Sequence, residues 1–156
     1  MFVPLDQQTH GEPGVVAASV PAFSTRWAGA DSARIGEARR AVAAFLADAA
    51  ASGHRRPGER QLQDAQLIVS ELVTNAIRHA PGPCGLRLEL SPDGARLRIA
   101  VRDGSRQVPL VRPVDGSRVG GHGLRLVTAL AGDVRVIRFE TGKEVVADVP
   151  LTAPGH

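Results

Sequence analysis

Cysteine, lysine and aromatic residues are nearly missing from this 156-residue chain, and each shortage removes a class of explanation. The single cysteine, Cys84, rules out an intramolecular disulfide and supplies no metal-ligand set, which leaves a buried or indifferent thiol. Aromatic residues make up 3% of the sequence, too few to build stacking platforms for single-stranded nucleic acid. Lys143 is the sole lysine, so the formal charge of +3 is carried mainly by arginines scattered along the chain. That scatter does not describe a nucleic-acid surface, whereas a modest basic balance suits a nucleotide and an acidic partner. No apolar run approaches the roughly 20 residues of a membrane span, and no basic segment precedes an apolar run at the N-terminus. These absences predict a cytoplasmic protein that touches neither membrane nor nucleic acid directly.

What is present reads as one domain of ordinary size, long enough to bury a core without staples. Residues 1–21 hold Pro4, Gly11, Pro13, Gly14 and Pro21 with no sustained period, and read as a flexible N-terminal arm before a domain over 22–151. A short strand is expected near Phe23 to Trp27. Asp31 and Ser32 are cap candidates for a helix to about Ala51, with Ile35, Ala38, Val42, Phe45 and Leu46 toward the core. A second helix is predicted from about Glu59 to His79, stopped before Pro81-Gly82-Pro83. Strands follow at about Cys84–Leu90 and Ala95–Asp103, around a Ser91-Pro92-Asp93-Gly94 turn. Gln107 to Val119 reads as a loop. A short helix near Gly123 to Leu130 precedes strands at about Asp133–Glu140 and Glu144–Val149, with Thr141-Gly142 as their turn. This order predicts an α+β fold, a two-layer sandwich with helices on one face of a mostly antiparallel sheet.

The segment Ser70 to Pro81 is the most informative. At 3.6 residues per turn, Ile68, Val69, Leu72, Val73, Ala76, Ile77 and Ala80 fall within an arc of about 180°. Glu71, Asn75, Arg78 and His79 occupy about 100° beginning beside it. Ser70 and Thr74 lie beyond, on a face left to water. An acid, an amide and two basic groups along a core boundary can floor a polar pocket; alone, they fit a solvated helix edge better.

Downstream, Leu97-Arg98-Ile99-Ala100-Val101-Arg102 alternates with the period of a half-buried strand and ends at Asp103-Gly104-Ser105, a turn-forming triplet. Gly120-Gly121-His122-Gly123-Leu124-Arg125-Leu126-Val127 then reads as glycines opening a helix. Such a helix start offers unpaired N–H groups and a positive dipole end to an anion, usually phosphate.

In this order, the three segments resemble the GHKL (Bergerat-fold) ATP-binding family. The match is closest to its branch of small anti-sigma-factor serine/threonine kinases and their actinobacterial relatives. That branch carries a Glu-Leu-Val-Thr-Asn-Ala-x-x-His-Ala block, an Asp-Gly-Ser strand end and a Gly-x-Gly-Leu-x-Leu-Val helix start. The resemblance runs from roughly Phe23 to Val149 and implies the two-layer fold already expected. It implies ATP and Mg²⁺ as cofactors, with Asn75 as the metal ligand and Asp103 as the adenine reader. A fixed acceptor at Asp103 would reject guanine, which presents a carbonyl there. Arg78 and His79 would face phosphate or ribose. Ser105 to Gly123 would form a lid, with backbone groups of Gly120, Gly121, His122, Gly123 and Leu124 toward phosphate. Glu71, one turn before Asn75, resembles the base that accepts the proton of a serine hydroxyl.

The sequence departs from the branch in two places. Gly142-Lys143 is followed by Glu144 where a threonine near the base is usual, which would weaken ATP binding if Glu144 pointed inward. His122 stands where an always-charged arginine is common, so help to a phosphate would fade above about pH 6.5. The resulting expectation is an ATP-dependent serine/threonine kinase regulating transcription through a sigma factor and a STAS-type anti-anti-sigma partner, with a homodimer implied by the resemblance. A catalytically weak or inactive interaction module of the same fold is the alternative.

Overall fold

Alternation along the strands and the wide apolar arc of the central helix require two layers, each covering the other's apolar face. The computed structural model describes residues 20–29, 31–79, 82–105 and 122–151, with backbone alone at 122–124. Five strands form one antiparallel sheet in the order β1-β2-β3-β5-β4: β1 Ala22–Trp27, β2 Cys84–Leu90, β3 Arg96–Asp103, β4 Asp133–Phe139 and β5 Gly142–Pro150. Three helices complete the described elements: α1 Ala33–Ala51, α2 Glu59–His79 and α3 His122–Leu130. The architecture is the α+β sandwich the sequence predicts. The expected N-terminal arm lies outside the described residues, apart from Val20 and Pro21.

The core follows from the two periods. Leu86, Leu88, Leu97, Ile99, Val101, Val145, Ala147 and Val149 project from one face of the sheet. They meet Ala38, Val42, Leu46, Ile68, Val69, Leu72 and Val73 from α1 and α2 in one buried cluster. At about 1.5–3 kcal/mol per fully buried aliphatic side chain, this layer is the main source of stability. Ser32 caps α1 without a side-chain hydrogen bond; Asp31 Oδ1 accepts one from the Ala33 N–H at 3.0 Å instead.

Two local expectations need correction. Ser70 and Thr74 are half-buried, and Ser70 Oγ accepts a hydrogen bond from Arg39 of α1 at 3.0 Å. A wheel drawn for α2 alone cannot show where α1 lies, which is why this side appeared solvated. The β4–β5 hairpin turns at Glu140-Thr141, and Gly142 already pairs with Phe139 as the first residue of β5. Gly142 has φ +151°, and a Cβ there would overlap the carbonyl oxygen of Asp103. Only glycine lets β5 pass so close to the end of β3.

Candidate functional site

The end of β3 and the last turns of α2 belong to the same end of the molecule. Cys84, the first residue of β2, is the register partner of Asp103, the last of β3. The connection 80–83 joins Cys84 to His79 and spans at most about 18 Å. Both candidate polar groups also face the layer between helices and sheet. Asp103 follows Leu97, Ile99 and Val101 on the helix-facing side, and Asn75 lies between buried Leu72 and Ala76 on α2.

Asn75 is 8% exposed, and its Nδ2 is buried without a hydrogen-bond partner. A buried amide left unpaired costs about 1–3 kcal/mol, so a group able to satisfy it would bind with that cost relieved. Glu71, one turn earlier, is half-buried and makes no hydrogen bond or ion pair among the described residues. The pairing of Glu71 with Arg78 that a solvated helix edge would offer is therefore not made. Arg78 and His79 are exposed in the last turn of α2, where positive charge also suits the helix dipole. The sequence stripe thus divides into a buried amide, a half-buried acid and two exposed basic groups.

Asp103 is 3% exposed and already engaged. Lys143 Nζ donates to its Oδ1 at 3.0 Å and its Oδ2 at 2.9 Å, and the two side chains are 0% and 1% exposed for Lys143 and Asp103. The Ser105 N–H donates to Oδ1 at 2.8 Å, closing the turn that Asp103-Gly104-Ser105 announces. Ser105 therefore reaches the site through its backbone. Burial pushes the Cys84 thiol up to about 11 from 9.0, with the Asp103 charge adding to the rise, so the thiol stays protonated and unreactive near neutral pH.

Lys143 is the residue that sequence reasoning overlooked. Its signal was available: counting back by two from Val149, Ala147 and Val145 puts 143 on the inner face, opposite Asp103. Starting the strand at Glu144 concealed it. The same alternation turns Glu144 to the opposite face, where its Oε1 accepts from Arg87 Nη2 at 3.2 Å. The departure at Glu144 therefore does not reach the layer that holds Asp103.

Of the glycine segment, α3 begins at His122 and packs against α2. Gly120 and Gly121 lie outside the described residues, as does the lid segment after Ser105. Gly123 and Leu124 open α3 with His122, and only their backbone is described. Among the described residues no group of three or more His, Cys, Asp or Glu could enclose a metal ion. A cation here would take one protein oxygen, from Asn75, and otherwise water and phosphate oxygens, as magnesium commonly does. Among the described residues no hydrogen bond claims the Asn75 side-chain oxygen, which fits that assignment; the unpartnered Nδ2 is a donor and would face a phosphate or water oxygen rather than the cation.

Comparison with known proteins identifies the family and the fold. The family model for the histidine kinase-like ATPase domain matches residues 29–148. Blue-light-activated histidine kinase 2 of Erythrobacter litoralis is 36% identical over 95 residues, covering 55% of this chain and 27% of that protein. The structure of the RsbU and RsbW domains of Rv1364c from Mycobacterium tuberculosis shares the fold, with a TM-score of 0.59 at 19% identity. That match covers 86% of this chain and 34% of the other. The blue-light activated histidine kinase EL346 of Erythrobacter litoralis superposes with a TM-score of 0.52 at 27% identity, over 77% of this chain and 41% of its own. The chain thus spans well under half the length of these relatives. It belongs to the family of histidine kinase-like ATPase domains, the GHKL (Bergerat-fold) family.

Proposed function

We propose that this chain binds ATP with Mg²⁺ and transfers phosphate to a serine or threonine of a small STAS-type antagonist, as an anti-sigma-factor-type regulator. The observation that carries the reading is the pair on α2: a buried amide, Asn75, and a carboxylate, Glu71, one turn before it, neither with a hydrogen-bond partner among the described residues. Asn75 would hold the metal through its side-chain oxygen. Mg²⁺–ATP, when bound, supplies the phosphoryl group and a positive charge beside its oxygens. Glu71, with no competing partner among the described residues, is available to accept the proton of an attacking hydroxyl. Arg78 and His79, exposed at the end of the same helix, are available to the outer phosphates or ribose. Backbone N–H groups at the start of α3 add the dipole of a helix end. Phosphate adds about −1.5 to −2 charges to the antagonist, enough to break an interface by repulsion.

Calorimetry with ATP and Mg²⁺, followed by a transfer assay, tests the reading. Asn75→Ala should abolish Mg²⁺-dependent ATP binding with the fold intact, and Glu71→Ala should keep binding but lose transfer by about 10²–10⁴-fold. Unchanged affinity in the first removes the metal assignment; undiminished transfer in the second removes the base. Acid-stable phosphate on the product indicates a serine or threonine ester, whereas acid-labile phosphate would point to a histidine acceptor.

One observation favours the alternative of an interaction module with little or no catalysis. The Asp103 carboxylate is committed to Lys143, and both side chains are covered. Absence of ATP binding in the wild-type protein would decide for that alternative.

A further inference from the structure

We propose that the free edge of β1 is a docking site for a second copy of this chain, the two β1 strands pairing antiparallel about a two-fold axis at Thr25. The proposal stands apart from the nucleotide reading and concerns the rim of the sheet. β1 ends the order β1-β2-β3-β5-β4, so only one of its sides is paired among the described residues. The Leu90 N–H donates to the Pro21 carbonyl at 3.0 Å, which makes Pro21–Leu90 a hydrogen-bonded pair. Counting by two, Phe23, Thr25 and Trp27 turn their backbone groups to Leu88, Leu86 and Cys84. Ala22, Ser24 and Arg26 therefore turn theirs away from the sheet, and all three residues are exposed.

The other rim shows how an edge is closed to partners. Among its seven residues β4 carries Asp133, Arg135 and Arg138, which charge both of its faces and resist a second strand. β1 carries a single charge, Arg26, and leaves Phe23 exposed at 38%. Phe23, Thr25 and Trp27 share the helix-facing side with Leu86 and Leu88, and Trp27 is half-buried against the core there.

Register favours a second β1 as the occupant. Strands related by a two-fold axis across a sheet keep their faces in common, so only residues of like parity are opposed. With Thr25 opposite Thr25 of the second copy, Phe23 lies opposite Trp27 and Ser24 opposite Arg26, each twice. The Ser24–Arg26 pairs join reciprocally through the backbone groups that β2 leaves free. The Phe23–Trp27 pairs fall at non-hydrogen-bonded positions, where Cα atoms approach to about 4.5 Å and side chains meet most closely. Aromatic pairs at such positions are favourable. An axis at Arg26 would instead oppose two arginines, and one at Ser24 would set the aromatics against Thr25 and Pro21. Each copy has one such edge and the β4 rim is charged, so the pairing closes as a dimer.

The test is sedimentation equilibrium of the full chain across a micromolar dilution series, with amide hydrogen exchange on the same samples. The wild type should dimerise, and the Ser24 and Arg26 amides should gain protection as the dimer forms. Ser24→Pro removes an N–H that β2 does not use, so the fold should persist while the dimer dissociation constant rises at least about tenfold. Thr25→Lys and Thr25→Glu should each weaken self-association by at least about tenfold, and mixing the two should restore a mixed dimer. Only a residue that faces its own copy behaves in that way. A wild type that stays monomeric overturns the proposal, whether its edge amides exchange freely or are protected by other parts of the same chain. Dimerisation untouched by Ser24→Pro, or no rescue on mixing the two Thr25 variants, overturns it also. Should Ser24→Pro not fold, the charge pair at Thr25 decides, and the reverse.

Discussion

Lys143 and Glu144 are neighbours on β5, yet their ion pairs occupy opposite worlds. On the inner face, Lys143 and Asp103 are 0% and 1% exposed and bonded through both carboxylate oxygens. On the outer face, Arg87–Glu144 is 21% and 12% exposed, and Arg98–Asp148 is 42% and 15% exposed. Arg135 also reaches Asp148, at 3.4 Å, and Arg102 stacks 3.9 Å from the centre of the Phe139 ring. The outer pairs keep more contact with water, although Glu144 is itself nearly covered at 9% exposure as a whole residue, and each contributes roughly 0–1 kcal/mol. The inner pair has given up its hydration, at several kcal/mol per ion, and holds only because its geometry is good and further hydrogen bonds support it. A count of charged pairs would rank the outer face as the more stabilised. Burial reverses that order: the outer face tolerates loss, and the inner pair does not.

The sharpest way to break the comparison is to remove one inner partner. Lys143→Met should cost about 3–5 kcal/mol in urea unfolding, because it strands the buried Asp103 carboxylate. Lys143→Met combined with Asp103→Leu should recover most of that loss, since an apolar pair of similar volume pays no desolvation. If the single and double variants are equally destabilised, the loss comes from packing rather than from a stranded charge.

Most of the fold was legible before the structure because its periods are long and well punctuated. The expected bounds of α2 coincide with Glu59–His79, set by an unbroken 3.6-residue pattern and the prolines that follow. The strands of β2 and β3 announce themselves by alternation. The start of β5 was not legible, because Thr141-Gly142 has turn chemistry while Gly142 serves instead as the close crossing over Asp103. That two-residue difference hid Lys143, the partner that changes the meaning of Asp103. Within the candidate site, the place of Asn75 at a core boundary and of Asp103 at a strand end was legible from period and turn chemistry, while their roles toward a nucleotide come from the family resemblance. The exposure of Arg78 and His79 was not legible, since a helical wheel discards position along the axis and places the last turn level with the middle.

A smaller effect sharpens the outer half of the comparison. Burial pushes the Asp148 carboxyl up, but the Arg98 hydrogen bonds, the Arg98 charge and Arg135 outweigh it and hold the group below its ordinary 3.8. A group depressed in the folded state contributes stability above its unfolded value and loses it as pH falls through the folded one. Asp148→Asn should therefore lose less stability than the parent as pH falls from just above 3.8 to below the depressed folded value, the range in which the parent surrenders this contribution. At neutral pH the substitution should cost no more than about 1 kcal/mol, weakening with added salt. A parallel loss in both proteins on acidification would place the acid sensitivity elsewhere.

The smallest effect is expected at Glu144, where the sequence alone suggested the largest doubt about nucleotide binding. Its register partner is Arg102, its side chain bonds Arg87, and it shares the outer face with Asp148. Glu144→Thr should leave ATP affinity within about twofold, because the sheet itself separates this carboxylate from the layer that holds Asp103. Stability should fall by at most about 1 kcal/mol from the lost Arg87 pair, partly offset by the better strand propensity of a β-branched residue. Calorimetry with ATP and urea unfolding on the same preparation check both halves. A marked gain in affinity would mean that position 144 reaches the base, that the alternation of β5 is shifted by one residue, and that Lys143 is not on the inner face. The inner and outer pairs are therefore tested by one register: whatever moves Glu144 inward must move Lys143 out.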